Sequence, residues 1–367
     1  MTIRFLFLVG QLKAGGSERQ LCYLLRGLKS EALEPAVCVW NYAEDDVYVD
    51  QLKRLDIPVF SLPQGGRFQK LSAFRRIVRD LRPEVVHSYS FYTNFAAHYG
   101  AHGTPAQAIG SVRSDFLLDR RQLGPLMGNL NARWPRRQVF NSRNALENAQ
   151  RSGGVFVPPQ CCVVRNGVDL DAFRPASGSS GAVLRMLGVG SLTPVKRWDR
   201  LIEAAAALRA RREAFSVQIV GEGALRGDLE AQIAASALQD RVTLPGFLPD
   251  IASVMQEADV LIHPSETEGC PNVVMEAMAC GLPVVANRVG EGQYLVEDGV
   301  TGFLIERGDA AALVDRIGRL VAQPALRKQM GVQGRAVAEK TFGLQRFVDE
   351  MLTAYAEMGW NAPVYSH

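Results

Sequence analysis

The stretch that decides the fold is Val260-Leu261-Ile262-His263-Pro264, then Ser265-Glu266-Thr267-Glu268-Gly269-Cys270, then Pro271-Asn272-Val273-Val274-Met275-Glu276-Ala277-Met278-Ala279, then Gly281-Leu282-Pro283-Val284-Val285-Ala286. Two short apolar runs rich in Val and Ile enclose a segment that opens on proline, a residue suited to the first helical position, so the stretch predicts strand, loop, helix over Pro271–Cys280, and strand. A strand that returns through a helix to a second apolar strand is the unit of a parallel sheet with covered faces.

The same alternation extends in both directions. Towards the N-terminus it predicts strands at Leu184–Gly190, Val217–Val220 and Val242–Leu244, with helices over Arg197–Arg212 and Ala224–Ala237. It stops around Arg165–Gly181, where Arg-Pro-Ala-Ser-Gly-Ser-Ser-Gly is linker chemistry. Before that point come strands at Ile3–Val9, Ala36–Trp40, Val59–Leu62, Val85–His87, Ala106–Ser111, Gln138–Asn141 and Cys162–Val164, with helical patterns between most of them. The expected fold class is therefore α/β, with two doubly wound Rossmann-like domains, 1–170 and 171–343, facing across an interdomain cleft. A C-terminal helix over about 344–360 is expected to pack back on the first domain. In doubly wound sheets ligands sit beyond the carboxyl ends of the strands, so function belongs to the strand-to-helix loops.

Composition agrees with two globular domains. The chain has 367 residues, 47% hydrophobic and 22% charged, which excludes disorder as the main state. No apolar run approaches the roughly 20 residues that span a bilayer, and Ile3–Val9 carries Arg4, so the reading is a cytoplasmic protein. The six cysteines form no Cys-x-x-Cys pair and read as buried free thiols. The net charge of +3 hides an asymmetry: residues 1–175 hold 23 Lys and Arg against 15 Asp and Glu, and the remainder holds 18 against 23. Much of the excess lies in Arg67, Lys70, Arg75, Arg76, Arg79 and Arg82, on a predicted helix whose apolar residues Leu71, Phe74, Ile77, Val78 and Leu81 recur at helical spacing. Arg133, Arg136 and Arg137 cluster beside Trp134. Such a face is either simply solvated or docks on anionic lipid through residues such as Arg75, Arg76 and Arg79. Nucleic acid is excluded as a partner, since no stacking platform or groove-reading element accompanies the charge.

Four local motifs bear on chemistry. Gly15-Gly16-Ser17-Glu18 follows the first strand and opens a helix with Ser17 as its expected cap, a place where backbone N–H groups approach a phosphate. Gly221-Glu222-Gly223 has its third glycine at Gly227, one place too late for a dinucleotide fingerprint, which argues against a nicotinamide site and leaves a tight turn beside a nucleotide. Glu268 in the loop and Glu276 in the helix stand eight residues apart, so both carboxylates can converge on one polyhydroxyl ligand. The plain alternative is an acid balancing a helix dipole. Asp169-Leu170-Asp171 spells a metal-binding Asp-x-Asp, but its place in the linker argues against that use. His87, at a strand end, either faces the cleft or is a satisfied structural histidine.

The Glu268-x7-Glu276 segment with Gly281–Ala286, the linker Arg165-Asn166-Gly167-Val168-Asp169 with Phe173 and Pro175, and Val189-Gly190-Ser191-Leu192-Thr193-Pro194-Val195-Lys196 together resemble family 4 glycosyltransferases, retaining enzymes of the GT-B fold. The resemblance runs in order from Gly15-Gly16 to Gly302-Phe303-Leu304. It implies a C-terminal domain that holds a nucleotide sugar and an N-terminal domain that holds the acceptor. Glu276 then corresponds to the ribose-binding acid, Glu268 to the acid beside the transferred sugar, and Gly269, Cys270, Pro271 and Asn272 to the segment touching sugar and phosphate. Lys196 corresponds to the lysine that neutralises the diphosphate, and Gly16, with Gly15, to the glycine loop that approaches it. Gly221 and the loop Pro245-Gly246-Phe247-Leu248 correspond to the walls of the nucleotide site.

Two departures stand out. Ser191 replaces an arginine common in relatives, and Arg113 falls near a histidine that faces the reacting sugar in many of them. Arg113 is thus expected to restore a cation from the other domain and, with His87, to stand on the acceptor side. Tyr294 takes the place of a further acid. The implied activity is retaining, metal-independent transfer of a hexose from a nucleoside diphosphate sugar to a hydroxyl of a glycan or lipid-linked acceptor, with Glu268 either nucleophile or electrostatic neighbour, no cofactor, and peripheral contact with the inner face of the membrane. The rivals are a sugar-nucleotide epimerase on the same architecture and an inactive nucleotide-sugar binder with Ser191 as its first lesion. Keeping both Glu268 and Glu276 argues against the latter.

Overall fold

A computed structural model describes residues 3–152, 157–176 and 183–361. These divide into two compact units, one formed by residues 1–167 with 344–367 and the other by 168–343. The glycine- and serine-rich stretch Ser177–Gly181 lies outside the described residues.

The first unit carries strands β1 Phe5–Val9, β2 Pro35–Val39, β3 Val59–Ser61, β4 Val85–Ser88, β5 Gln107–Val112, β6 Arg137–Phe140 and β7 Gln160–Val163. Its helices are α1 Gly16–Ser30, α2 Val47–Arg54, α3 Arg67–Leu81, α4 Asn94–Ala101, α5 Phe116–Gln122, α6 Gly124–Arg133 and α7 Arg143–Ser152. The second unit carries β8 Leu184–Val189, β9 Phe215–Val220, β10 Val242–Gly246, β11 Val260–His263, β12 Val284–Asn287 and β13 Gly302–Ile305. Its helices are α8 Trp198–Ala210, α9 Arg226–Ala235, α10 Ile251–Glu257, α11 Asn272–Ala279, α12 Gly292–Leu295, α13 Ala310–Ala322 and α14 Pro324–Thr341, and the last helix, α15 Leu344–Glu357, belongs to the first unit.

Both sheets are parallel and doubly wound, in the orders β3-β2-β1-β4-β5-β6-β7 and β10-β9-β8-β11-β12-β13. The order reverses between β1 and β4 in one sheet and between β8 and β11 in the other, and those two reversals are where each sheet opens a crevice at its carboxyl edge. The central strands earn their place by composition: Phe5-Leu6-Phe7-Leu8-Val9 is buried along its whole length, as is Val260–His263. In the first unit the core on one face joins β1, β2 and α1 to Phe347, Met351 and Tyr355 of α15. In the second, Trp198, Leu201, Ile202 and Leu208 of α8 pack with β8, β9 and α13 on one face, and α11 packs with Phe342 on the other.

Three local expectations change. The first helix starts at Gly16 with extended Gly15 at its cap, so Ser17 lies one position inside the helix and caps nothing. Pro271 is the N-cap of α11 and the helix begins at Asn272. Lys70 leaves the basic face of α3: it is 7% exposed, and its ammonium donates to Trp40 O at 2.8 Å and to Asn41 Oδ1 at 2.7 Å. Arg75 binds Tyr99 O at 2.8 Å from the exposed side, and Phe68 on the first turn is 87% exposed. Among the described residues no helix is long and apolar enough to cross a membrane.

Candidate functional site

In the second unit five strand-to-helix loops meet at the carboxyl edge of the sheet, and glycine is what lets them approach. A Cβ on Gly221 would stand 2.0 Å from Gly190 O and one on Gly223 2.4 Å from Leu192 O, so the loop after β9 lies directly on the loop after β8. Leu192 N donates to Glu222 O at 2.9 Å, and Gly221 N donates to Gly246 O at 2.9 Å, which adds the end of β10. On the other side, Glu266 N donates to Val195 O at 2.8 Å and Glu291 N to Gly269 O at 2.8 Å. Asn287 Nδ2 donates to Pro264 O at 2.8 Å and Ser265 O at 3.1 Å, fixing the end of β12 to the loop after β11.

Into this frame the loops after β8 and β11, the two strands at the reversal, bring Lys196 and Glu268 together. Lys196 Nζ donates to Glu268 Oε1 at 2.5 Å, with the two side chains 21% and 14% exposed. His263, the last residue of β11, places Nε2 3.0 Å from the same Oε1. Burial would raise the Glu268 pKa, but the nearby His263 and the Lys196 charge outweigh it and bring it down to about 2. Glu268 is therefore an ionised carboxylate at neutral pH.

Glu276 sits in the first turns of α11, 3% exposed, on a helix whose N-terminus carries no side-chain cap. Side chains tilt towards the N-terminus of a helix, so Glu276 leans to the end where Gly269, Cys270, Pro271 and Asn272 form the loop. Cys270 is buried, its thiol 3.6 Å from Met275 Sδ. Ser191 is exposed, its carbonyl accepting from Trp198 Nε1 at 3.1 Å and its hydroxyl 3.3 Å from Thr193 Oγ1. Leu248 packs at the edge of the core beneath α11, beside Phe247, which is 59% exposed. Tyr294, on α12, is 41% exposed.

Three further groups at this site leave little mark in the sequence. Glu266 accepts from Arg197 at 2.5 Å and from Arg200 at 2.7 Å, while Arg197 also binds Asp199 at 2.7 Å. That network pins the segment carrying Lys196 to the loop carrying Glu268, and it uses the positive charge of Arg197 and Arg200 within the protein. His263 was visible as a polar residue ending an apolar strand. Glu291 is fully buried next to Gly290, where a Cβ would stand 2.2 Å from Glu268 O; a buried acid in a loop has no periodic signature.

The other expected site residues, Gly15, Gly16, His87 and Arg113, belong to the first unit. Gly15 and Gly16 open α1, as its cap and first residue. Of the two alternatives for His87, the structure has the satisfied, buried histidine: it is 0% exposed, with Nδ1 2.7 Å from Tyr355 Oη and Nε2 2.7 Å from Ser111 Oγ. Burial, and then the charge of Arg113, hold its pKa well below the usual value. The physical reason is its place on β4, in the middle of the sheet and under α15. Arg113, just past β5, lines a cavity of about 300 Å³ with Ser17, Glu18, Tyr89, Tyr92 and Asp119. Asp169, half of the Asp-x-Asp, accepts from Ala172 N at 3.2 Å and so serves to close a turn.

A model of the group 1 glycosyl transferases matches residues 171–337, and a model of glycosyltransferase family 4 matches residues 14–172. The D-inositol 3-phosphate glycosyltransferase of Mycobacterium tuberculosis (strain F11) is 35% identical over 313 residues, 75% of this chain and 64% of that protein. The enzyme of the same name from Arthrobacter sp. (strain FB24) is 37% identical over 203 residues, 52% of this chain and 48% of that one. Alpha-D-kanosaminyltransferase of Streptomyces kanamyceticus is 32% identical over 176 residues, 47% and 46% of the two chains. The chain thus spans about half the length of the last two. Among solved structures, Anabaena Alr3699/HepE in complex with UDP and glucose superposes with a TM-score of 0.84 at 21% identity, covering 96% of this chain and 99% of that one. Sucrose-phosphate synthase of Thermosynechococcus elongatus gives 0.81 at 20% identity, covering 97% and 99%. These likenesses show the fold, which is GT-B. The two family models join end to end over residues 14–337, and the chain belongs to the family they describe, the group 1 and family 4 glycosyltransferases.

Proposed function

We propose that the protein is a retaining glycosyltransferase that moves a hexose from a nucleoside diphosphate sugar, held by the second unit, to a hydroxyl of a glycan or lipid-linked acceptor, held by the first. The observation that carries this reading is the meeting of Lys196 and Glu268 at the reversal of the second sheet, with Glu276 on the helix that follows. A vicinal diol donates to both oxygens of a carboxylate, so Glu276 holds the ribose. Lys196, paired with Glu268 in this structure, turns its ammonium to the diphosphate when the donor enters. A charge already positioned where negative charge grows lowers the barrier to departure of the leaving group. Glu268, ionised and set beside that lysine, stands against the positive charge that develops on the transferred sugar. Gly221 and Leu248 wall the nucleotide, and Gly269–Asn272 follow the sugar and phosphate.

The transfer is proposed to run without a metal, because Lys196 and the loop N–H groups supply the leaving-group stabilisation and Asp169 is engaged in a turn. Further support comes from the family and from the ligands of the HepE complexes, which are UDP, UDP with glucose, and UDP-glucose. Contact with anionic membrane is proposed through Arg75, Arg76 and Arg79 of α3, with exposed Phe68 beside them. The test of donor class is a panel of nucleotide sugars, scored by thermal stabilisation and by hydrolysis. The reading expects one or two donors to stand out; stabilisation by none of them would reject it.

A further inference from the structure

The cavity of the first unit lies where the loops after β1, β4 and β5 meet, at the carboxyl edge of a sheet whose order reverses between β1 and β4. Its volume is about 300 Å³, room for one sugar ring and its substituent. Two of its lining side chains are buried and carry polar atoms without a hydrogen-bond partner among the described residues. Arg113 is 9% exposed; its Nε and one terminal nitrogen, Nη2, lack partners, while Nη1 reaches Asn166 Oδ1 only at 3.5 Å. Tyr89 is 2% exposed, its ring 4.0 Å beneath the Arg113 guanidinium and its hydroxyl likewise without a partner.

A guanidinium cannot shed its proton, so burial does not neutralise it. Burying such a charge without a counter-charge is costly unless a ligand brings one. The planar fork of Nε and Nη2 matches the paired oxygens of a carboxylate or phosphate. Glu18 and Asp119 line the same cavity as acceptors, with pKa values raised chiefly by burial, Asp119 to about 6. The acceptors suit hydroxyl groups, and the fork of donors suits an anion.

We propose that this cavity binds a sugar or polyol bearing an anionic group, a carboxylate or a phosphate, which Arg113 reads with the Tyr89 hydroxyl as a second donor. Resting on the reading of the protein as a transferase, the proposal makes the acceptor an acidic one and Arg113 a specificity-determining residue. The same anion chemistry could come from the donor diphosphate, and the experiment separates the two sources.

The experiment titrates the full chain with glucose 6-phosphate, glucuronate and neutral glucose, and separately with UDP, in wild type, Arg113→Gln, Arg113→Lys and Tyr89→Phe. Charge-assisted hydrogen bonds predict that wild type prefers the charged sugars over glucose by about 10- to 100-fold. Arg113→Gln should bring that preference close to unity, and Arg113→Lys should keep part of it, a point charge without the fork. Removing a buried unpaired charge should leave the melting temperature of Arg113→Gln equal to or above wild type; if that variant does not fold, Arg113→Lys carries the test. Equal affinity of wild type for charged and neutral sugars would overturn the proposal, as would a preference that survives in Arg113→Gln. Weaker UDP binding in Arg113→Gln with the charged-sugar preference intact would also overturn it, by assigning the anion to the donor. A failure of the transferase reading shows elsewhere, in a wild type that neither binds nor hydrolyses any nucleotide sugar.

Discussion

At the reversal of the second sheet, Lys196 and Glu268 meet at 2.5 Å and Arg197 and Arg200 are paired with Glu266 and Asp199, so each cation has a carboxylate. At the reversal of the first sheet the groups stay apart: the Arg113 guanidinium stacks on Tyr89, while Glu18 and Asp119 are set by burial. One architecture thus carries two electrostatic designs. On the proposed reading, the compensated site keeps its charges in place for a donor that brings its own, and the uncompensated one selects whatever supplies the missing charge. The sheets fix where the loops end; a few side chains fix what each crevice can hold.

Breaking the compensated side should give the largest effect. On the proposed function, Lys196→Ala removes one charge-assisted contact to the leaving phosphate and should lower the turnover number by about 10²- to 10³-fold, roughly 2.7–4 kcal/mol, with the fold intact by circular dichroism. Glu276→Ala should act differently, raising the donor KM by about 10-fold with a smaller change in turnover, because a ribose held as proposed is gripped alike in ground and transition states. Unchanged donor affinity in that variant would remove Glu276 from the ribose.

The two crevices should also respond to pH with opposite sign. The folded pKa of Glu268, about 2, lies below its ordinary 4.5, so its contribution to stability is present above about pH 4.5 and is lost as the pH falls towards 2. The folded pKa of Asp119, about 6, lies above 3.8, so its contribution is present below about pH 3.8 and is lost as the pH rises through 6. Denaturant unfolding from pH 4 to 7 should show Asp119→Asn gaining relative to wild type as the pH rises, by roughly 2–3 kcal/mol across the window. A constant difference between the two proteins would remove Asp119 from the account.

How much of this was legible beforehand follows from the kind of signal each residue leaves. Buried parallel strands are continuous apolar runs, so Phe5–Val9 and Val260–His263 stood out in the sequence. The strand Gly302–Ile305 did not stand out, since four residues opened by glycine make a weak run. The spacing of Glu268 and Glu276 stood out in the sequence, while Lys196, which the structure pairs with Glu268, was marked only by the resemblance. Glu266 was not legible, because its partners Arg197 and Arg200 lie 69 and 66 residues away in sequence. The place of His87 stayed open and Lys70 was placed on an exposed face for a shared reason: sequence shows a polar residue at a strand end or on a basic helix, but not the Tyr355 hydroxyl or the Trp40 carbonyl that satisfies it inside.

The smallest expected effect concerns α3. Sedimentation with anionic and neutral vesicles should show binding only to the anionic ones, weakening as salt rises, with each of Arg75, Arg76 and Arg79 contributing on the order of 1 kcal/mol. Equal sedimentation with both vesicle types would leave the basic face as a solvated surface.

The central claim is that the paired crevice of the second unit holds a nucleoside diphosphate through Lys196 without a metal. The direct test is calorimetric titration of UDP and UDP-glucose into wild type and Lys196→Ala, each in excess chelator and again with magnesium or manganese. The account predicts wild-type binding that chelator leaves unchanged and that Lys196→Ala weakens by at least about 10-fold, the worth of one charge-assisted contact. Binding that disappears in chelator, returns with the metal and ignores Lys196 would contradict it and return attention to Asp169 and Asp171.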